Sequence, residues 1–331
     1  MPDWFRRILV IAASAVSAIA IATAVIASAA TQTGRPRFLV RVEPGNWVTL
    51  LDPTTGATRR IYHSEAAAIT GLSIAPRQDR LTFIEVFASG DPRKALPHEF
   101  IIIDSTGKLV SRIQRDVRTY TWCGDDCIAY IVGENYEGGL GFIPHGVFRL
   151  DLRGGTETAI ELVPPPYALT WVPLDTSLYF KGFSRWNGAS VVRYGLLNRS
   201  LSPTSYKDFR FSPSGRHYIE RPDEGWDTTR VYETATNHRV SLPESPILGE
   251  PGGWVFGHGD YLLFGRRLPP LHVTPGEGIR RGVPGPVEYR IYDVSARRVV
   301  RKLPGEVAAW AAPRGFLPIV VEGRVVVLSK P

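Results

Sequence analysis

The chain has almost no sulfur chemistry to offer. Among 331 residues there are two cysteines and one methionine, which excludes a disulfide-stapled mini-scaffold and a Cys-rich zinc module. The seven histidines (His63, His98, His145, His217, His238, His258 and His272) form no H-E-x-x-H or H-x-H pair, so the sequence signals no metal site. It has no G-x-S-x-G nucleophile elbow, P-loop or EF-hand loop, the short motifs that position a nucleophile, a triphosphate or a calcium ion. Lysine is scarce, at 6 against 33 arginines, and no run of five basic residues occurs despite a net charge of +7. Nucleic acid is therefore not the expected partner, and no cofactor or metal is expected. A modest positive charge suits an anionic polymer or a protein surface.

What is abundant is turn-forming residues. Gly (32) and Pro (27) are spread along the whole chain, and 44% of residues are hydrophobic. Many short strands joined by turns around a filled core fit this composition, and long helices do not. The exception is the start. Trp4-Phe5-Arg6-Arg7 precedes an uncharged stretch over 8–30, and Ala27-Ser28-Ala29 matches an A-x-A cleavage site. The stretch is also long enough to cross a bilayer as one helix, and the preceding arginines favour an N-terminus inside. Residues 1–30 are thus expected to be a signal peptide or an N-terminal membrane anchor, and 31–37 a linker. Either reading places residues 38–331 outside the cytoplasm, in the periplasm or at the cell surface.

Through 38–331 one pattern recurs: an apolar or aromatic anchor, a small residue or Pro, a short turn, then an apolar strand. It runs Ile74-Ala75-Pro76-Arg77-Gln78-Asp79-Arg80-Leu81-Thr82-Phe83, then Trp122-Cys123-Gly124-Asp125-Asp126-Cys127-Ile128. It returns at Trp171-Val172-Pro173, Phe211-Ser212-Pro213-Ser214-Gly215, Phe256-Gly257-His258-Gly259-Asp260 and Trp310-Ala311-Ala312-Pro313. The anchors are 48, 49, 40, 45 and 54 residues apart, near the period of a propeller blade. Between them lies a second pattern of strand, polar turn and strand, at 48–62, 101–113, 147–162, 191–204, 230–243 and 288–304. Its turns include Asp52-Pro53-Thr54-Thr55-Gly56 and Asp104-Ser105-Thr106-Gly107. Two such hairpins make one four-stranded blade. Residues 38–62 supply three strands without an innermost one, and 308–329 three without an outermost one. The expected fold is all-β, a single β-propeller with seven blades favoured over six, preceded by the hydrophobic N-terminal helix.

These Ser-Pro-x-Gly and Ala-Pro-x-x-Asp-x-Leu-x-Phe hairpins resemble the WD40-like repeats of TolB-type propellers of the bacterial cell envelope. The resemblance spans most of 38–331 and implies architecture and compartment only. The chain leaves no room for TolB's companion domain, so TolB's partners are not implied.

Cys123 and Cys127 bracket Gly124-Asp125-Asp126 in a hairpin, where cross-strand neighbours come within disulfide reach. An exported chain meets an oxidising setting, which favours a disulfide over two free thiols. Asp125 and Asp126 could bind a cation by residue type, although acidic turn residues are ordinary in hairpins, and Gly138-Gly139-Leu140-Gly141 reads as a flexible loop.

In a propeller the connections between the second and third strands of each blade gather on one face. Here they span 87–98, 133–145, 182–189, 221–228 and 266–286, the long and variable ones. They carry Arg93, Lys94, Tyr136, Arg185, Trp186, Trp226, Arg266, Arg267, Arg280 and Arg281. Aromatic residues and Arg dominate interface energetics, although any one of these side chains could equally pack on its own blade. The expectation is a non-catalytic scaffold that contacts a protein or an anionic envelope polymer through this face. The alternatives are an enzyme, such as a lyase or hydrolase, with a central-channel site, and an anchored assembly factor.

Overall fold

A computed structural model describes residues 36–329, apart from 89–97, 136–141, 173–175, 187–188, 207–209, 213, 221–229, 243–252, 257–258, 268–286, 305 and 314. The hydrophobic segment 1–30, and with it the expected helix, lies outside the described residues.

Twenty-six strands form seven antiparallel sheets among the described residues. The five middle sheets have four strands each, in sequence order from the innermost to the outermost, and the first and last sheets have three. This is a seven-bladed β-propeller, which settles the choice between six and seven. Blade 1 holds Leu39–Glu43, Trp47–Leu51 and Thr58–His63. The innermost strands of blades 2 to 6 are Ala68–Ile74, Val117–Gly124, Ala168–Val172, Arg210–Phe211 and Gly253–Val255, and blade 7 begins at Glu306–Val307. The recurring anchors Ile74, Trp122, Trp171, Phe211 and Phe256 all fall within two residues of the turn end of these strands.

The core is a series of layers between blades. The third strand of blade 2 shows why. Phe100, Ile101, Ile102 and Ile103 are all fully buried, because successive side chains point to opposite faces of a strand and both faces are covered. Ile101 and Ile103 join Val40, Val48, Leu50 and Phe83 in the layer shared with blade 1. Phe100 and Ile102 join Trp122, Ile128 and Tyr130 in the layer shared with blade 3. Each such side chain contributes about 1.5–3 kcal/mol, so an all-apolar strand is what a sheet packed on both faces needs.

Blade 1 lacks an innermost strand, and the end of the chain supplies a substitute. Val40 and Ala311 exchange backbone hydrogen bonds of 3.0 and 2.8 Å. Ala311 packs into the layer between blades 1 and 2. The Arg41 guanidinium lies 4.3 Å from the centre of the Trp310 ring. This clasp joins the two ends of the ring and removes the sheet edge that an open stack would expose.

Candidate functional site

The two ends of the propeller are built differently. At one end lie the turns that link strands one to two and three to four. Within a blade these turns are tied together by one repeated bond. The N–H of Ser105 donates to the carbonyl of Asp79, Leu152 to Asp126, Thr234 to Arg216 and Val294 to Asp260, at 2.7–3.0 Å. The carboxylates of Asp52, Asp104, Asp151 and Asp293 accept backbone N–H bonds from residues two or three further on, the Asx turn that Asp favours.

At two junctions neighbouring blades are joined at this end through the residue just before the second strand. Between blades 2 and 3 Asp126 receives Arg80 at 2.7 Å and Arg153 at 2.6 Å, and Asp125 pairs with Arg77 at 2.8 Å. Burial disfavours the charged Asp126 carboxylate, but the two guanidiniums outweigh it and hold its pKa below the usual range. The equivalent position between blades 5 and 6 is Asp260, only 3% exposed. Ser214 donates to one of its oxygens. The other accepts from Ser295 at 3.1 Å and lies 3.0 Å from Nδ1 of His217. Burial again opposes ionisation, and His217, Ser212 and Ser214 override it, leaving the pKa well below that of an ordinary carboxylate. Asp125 and Asp126, candidate cation ligands by residue type alone, thus serve as blade-to-blade latches. The two cysteines close the turn between Cys123 and Cys127 as a disulfide, with Cα atoms 5.0 Å apart.

The opposite end carries the connections between strands two and three. Several regions expected to be loops are hairpin arms. The second strand of blade 4 runs Ser177–Trp186 and its partner starts at Ala189, with Trp186 opposite Ala189. Arg185 and Trp186 therefore lie in a strand, not in a loop over 182–189. Arg266 and Arg267 likewise end the strand Tyr261–Arg267, paired with Glu288 and Val287. In blade 3 the strands reach Asn135 and resume at Phe142. The physical reason is that an antiparallel ladder satisfies its own backbone groups, so it continues past the core where apolar alternation has already stopped. Arg93, Lys94, Tyr136, Trp226, Arg280 and Arg281 lie outside the described residues. One cluster of polar and charged side chains lies at this end. His98 Nδ1 lies 3.0 Å from Asp116, and Arg118 reaches Asp116 at 3.1 Å and His98 Nε2 at 3.3 Å. Arg118 can only donate, so Nε2 is the acceptor and the Nδ1 proton points at Asp116. The cluster ties blades 2 and 3 together with little exposure.

The central channel, where the enzyme alternative places its site, holds a pocket at its turn end whose residues the sequence did not single out as a site. It has a volume of about 390 Å³ and takes walls from blades 4 to 7: Thr170, Arg210, Phe211, Trp254, Phe256 and Phe316 among them. Trp254 donates its indole N–H to the Arg210 carbonyl at 2.7 Å, which fixes blade 6 against blade 5. Phe256 is buried and has a φ of +65°, a left-handed conformation that costs a bulky residue about 1–3 kcal/mol and persists only when its surroundings over-determine it. Its ring stands edge-on to Tyr261, 5.8 Å between centres. Phe211 and Phe256 are two of the repeat anchors. Their spacing was the available signal, but only ring closure brings residues 45 positions apart to one axis. Among the described residues no group of three or more His, Cys, Asp or Glu could hold a metal ion.

No protein-family model and no curated protein matches this sequence. Solved structures match the fold. The β-propeller domain of Cps50 (Swd1) from Myceliophteria thermophila is similar at 14% identity and a TM-score of 0.51, over 89% of this chain and 94% of that one. Dihydro-heme d1 dehydrogenase NirN, in complex with DHE, matches at 18% identity and a TM-score of 0.50, over 91% and 64%. Oligogalacturonate lyase in complex with manganese matches at 12% and 0.50, over 69% and 70%. These likenesses establish the propeller. A lyase and a dehydrogenase occur among them, and a shared fold by itself assigns no function.

Proposed function

We propose that this protein is a non-catalytic binding scaffold of the bacterial cell envelope, of the TolB-like kind, that engages a protein or an anionic polymer through the end of the ring bearing the strand-two-to-three hairpins. The observation that carries the reading is the asymmetry of the two ends. Turns at one end are short, mutually hydrogen-bonded and latched between blades. Hairpins at the other extend past the core in blades 3, 4 and 6 and bring arginines and aromatic residues with them. Variation concentrates where the fold does not need the chain, and binding segments sit there on a rigid scaffold. The leader would deliver or tether the propeller outside the cytoplasm.

Photo-crosslinking in intact cells tests this. A benzophenone amino acid at Arg185 or Arg267 should give discrete adducts, and the same probe at Thr54 or Thr106 should not. Adducts from Thr54 or Thr106 alone would place the working face at the other end.

The channel pocket bears on the enzyme alternative. Arg210 is the single titratable group of its described lining, which suits ligand binding better than acid–base chemistry, since that chemistry needs a proton donor or acceptor with a tunable pKa.

A further inference from the structure

We propose that the channel pocket is a binding site for a small organic carboxylate with a planar apolar body. This is independent of the hairpin-face reading and concerns the opposite end of the ring. Its volume of about 390 Å³ falls within the range of pockets that hold small ligands. Phe211 and Trp254, both half-buried, line it with Thr170 and Val255, while Phe256, Pro313 and Phe316 border it as buried residues; the two half-buried rings suit a flat apolar body. The charge at its rim is of one sign. Arg210 is exposed and forms no ion pair among the described residues. In contrast, Arg77, Arg80, Arg118, Arg153 and Arg290 each hold a carboxylate at 2.5–3.1 Å. A planar guanidinium with free donors beside an aromatic wall matches a carboxylate in both charge and geometry.

The site is also pre-formed. The indole of Trp254 is held by the backbone of Arg210 itself. Phe211 adjoins Ser212, whose hydroxyl accepts the N–H of His217, and Phe256 starts the turn that ends in the latched Asp260. A ligand would therefore meet walls already in place, and pre-organisation lowers the cost of binding. The strained backbone of Phe256 is fixed by the same surroundings, and a backbone outlier in a pocket wall is where function is to be sought.

The test titrates 2-naphthoate, 2-naphthalenemethanol and 2-naphthylmethylamine into the full-length protein, following tryptophan fluorescence and calorimetry. Naphthoate should bind saturably at one site, more tightly than the alcohol, with the amine weakest. Arg210→Gln should weaken naphthoate by about tenfold or more, the loss of a charge-assisted contact, and leave the alcohol unchanged. Arg210→Lys, which keeps the charge but not the fork, should fall between. No saturable binding of naphthoate overturns the proposal. So does equal binding of the three probes, or naphthoate affinity indifferent to Arg210→Gln in a protein whose melting temperature is unchanged. If Arg210→Gln does not fold, the Arg210→Lys titration and the ranking of the three probes decide alone. Shortening the hairpin connection 268–286 should leave naphthoate binding intact, so this proposal and the hairpin-face reading fail separately.

Discussion

Asp126 and Asp260 occupy the same place in the repeat, one residue before the second strand of a blade, yet they are held by different chemistry. Asp126 meets two arginines, one of them, Arg153, largely exposed. Asp260 is enclosed by a histidine and two serines with almost no access to water. At these two junctions the common feature is a carboxylate that reaches back to the preceding blade and the donor differs, whereas the same position is Thr176 in blade 4 and Arg216 in blade 5. The hairpin end differs again: among the described residues no position there recurs from blade to blade in the same role. Blades 2 and 3 are tied at both ends, by Asp126 at the turns and by His98, Asp116 and Arg118 at the hairpins, so the two ends differ in how far their chain extends rather than in whether they are fastened.

The sharpest way to break this comparison is at Asp260. Asp260→Ala removes a buried carboxylate and leaves His217, Ser214 and Ser295 without it, so it should cost about 3–5 kcal/mol, read from urea unfolding. The cost should depend on pH. The native pKa is depressed, so the carboxylate's contribution is complete above its unfolded value of about 3.9 and is lost as pH falls through the native one. Wild type and Asp260→Ala should therefore converge in stability on acidification. A gap that stays constant down to strongly acidic pH would show that packing, not charge, holds this latch.

Next in size is Gly107, in the turn after the third strand of blade 2. It has a φ of +96°, and a Cβ there would stand 1.9 Å from the Ile61 carbonyl oxygen of blade 1. Gly107→Ala should cost about 2–4 kcal/mol from the left-handed backbone and the overlap together. Gly155, in the corresponding turn of blade 3, has a φ of +62° and open space around it, so Gly155→Ala should cost only the backbone part, about 1–2 kcal/mol. Equal losses in thermal melts would mean that the blades do not approach as closely at Gly107 as described.

Much of this was legible in the sequence, and the physics explains which part. The anchors at Ile74, Trp122, Trp171, Phe211, Phe256 and Trp310 marked the innermost hairpins because packing on both faces demands apolar residues at a fixed period. Asp52, Asp104 and their equivalents marked the outer turns because Asx turns need them. The three-plus-three arrangement of the terminal sheets was visible for the same reason. The extension of strands through Arg185, Trp186, Arg266 and Arg267 was not, since backbone pairing leaves no side-chain signature outside the core. Nor were the latches and the channel pocket, because His217 and Asp260, or Arg210, Trp254 and Phe316, meet only through ring closure.

Smaller effects should follow at the blade 2–3 junction. Replacing Cys123 and Cys127 by Ser opens a short loop and should cost about 2 kcal/mol at most. Thiol labelling of the denatured, unreduced protein should find no free cysteine, and labelling of both would show that the pair is reduced in the native protein. Asp126→Ala should cost about 1 kcal/mol, because Arg153 is exposed and Arg80 partly so. A loss as large as that at Asp260 would mean that burial is irrelevant to latch strength.

The smallest expected effect on stability is the most informative about the two ends. Arg267 and Val287 are directly paired across the ladder of blade 6, the arrangement that a two-residue Asn-Gly turn can close. Substituting that turn for residues 268–286 leaves every latch at the opposite end untouched. Loop closure becomes easier by about 0.6 kcal/mol for each halving of length, so the melting temperature should hold or rise slightly. Crosslinked adducts from Arg267 should disappear at the same time, if this connection takes part in recognition. Retained stability with lost capture is the signature of a segment kept for binding. Unfolding of the shortened protein would instead show that 268–286 completes the ring, and the division into a structural end and a working end would have to be redrawn at blade 6.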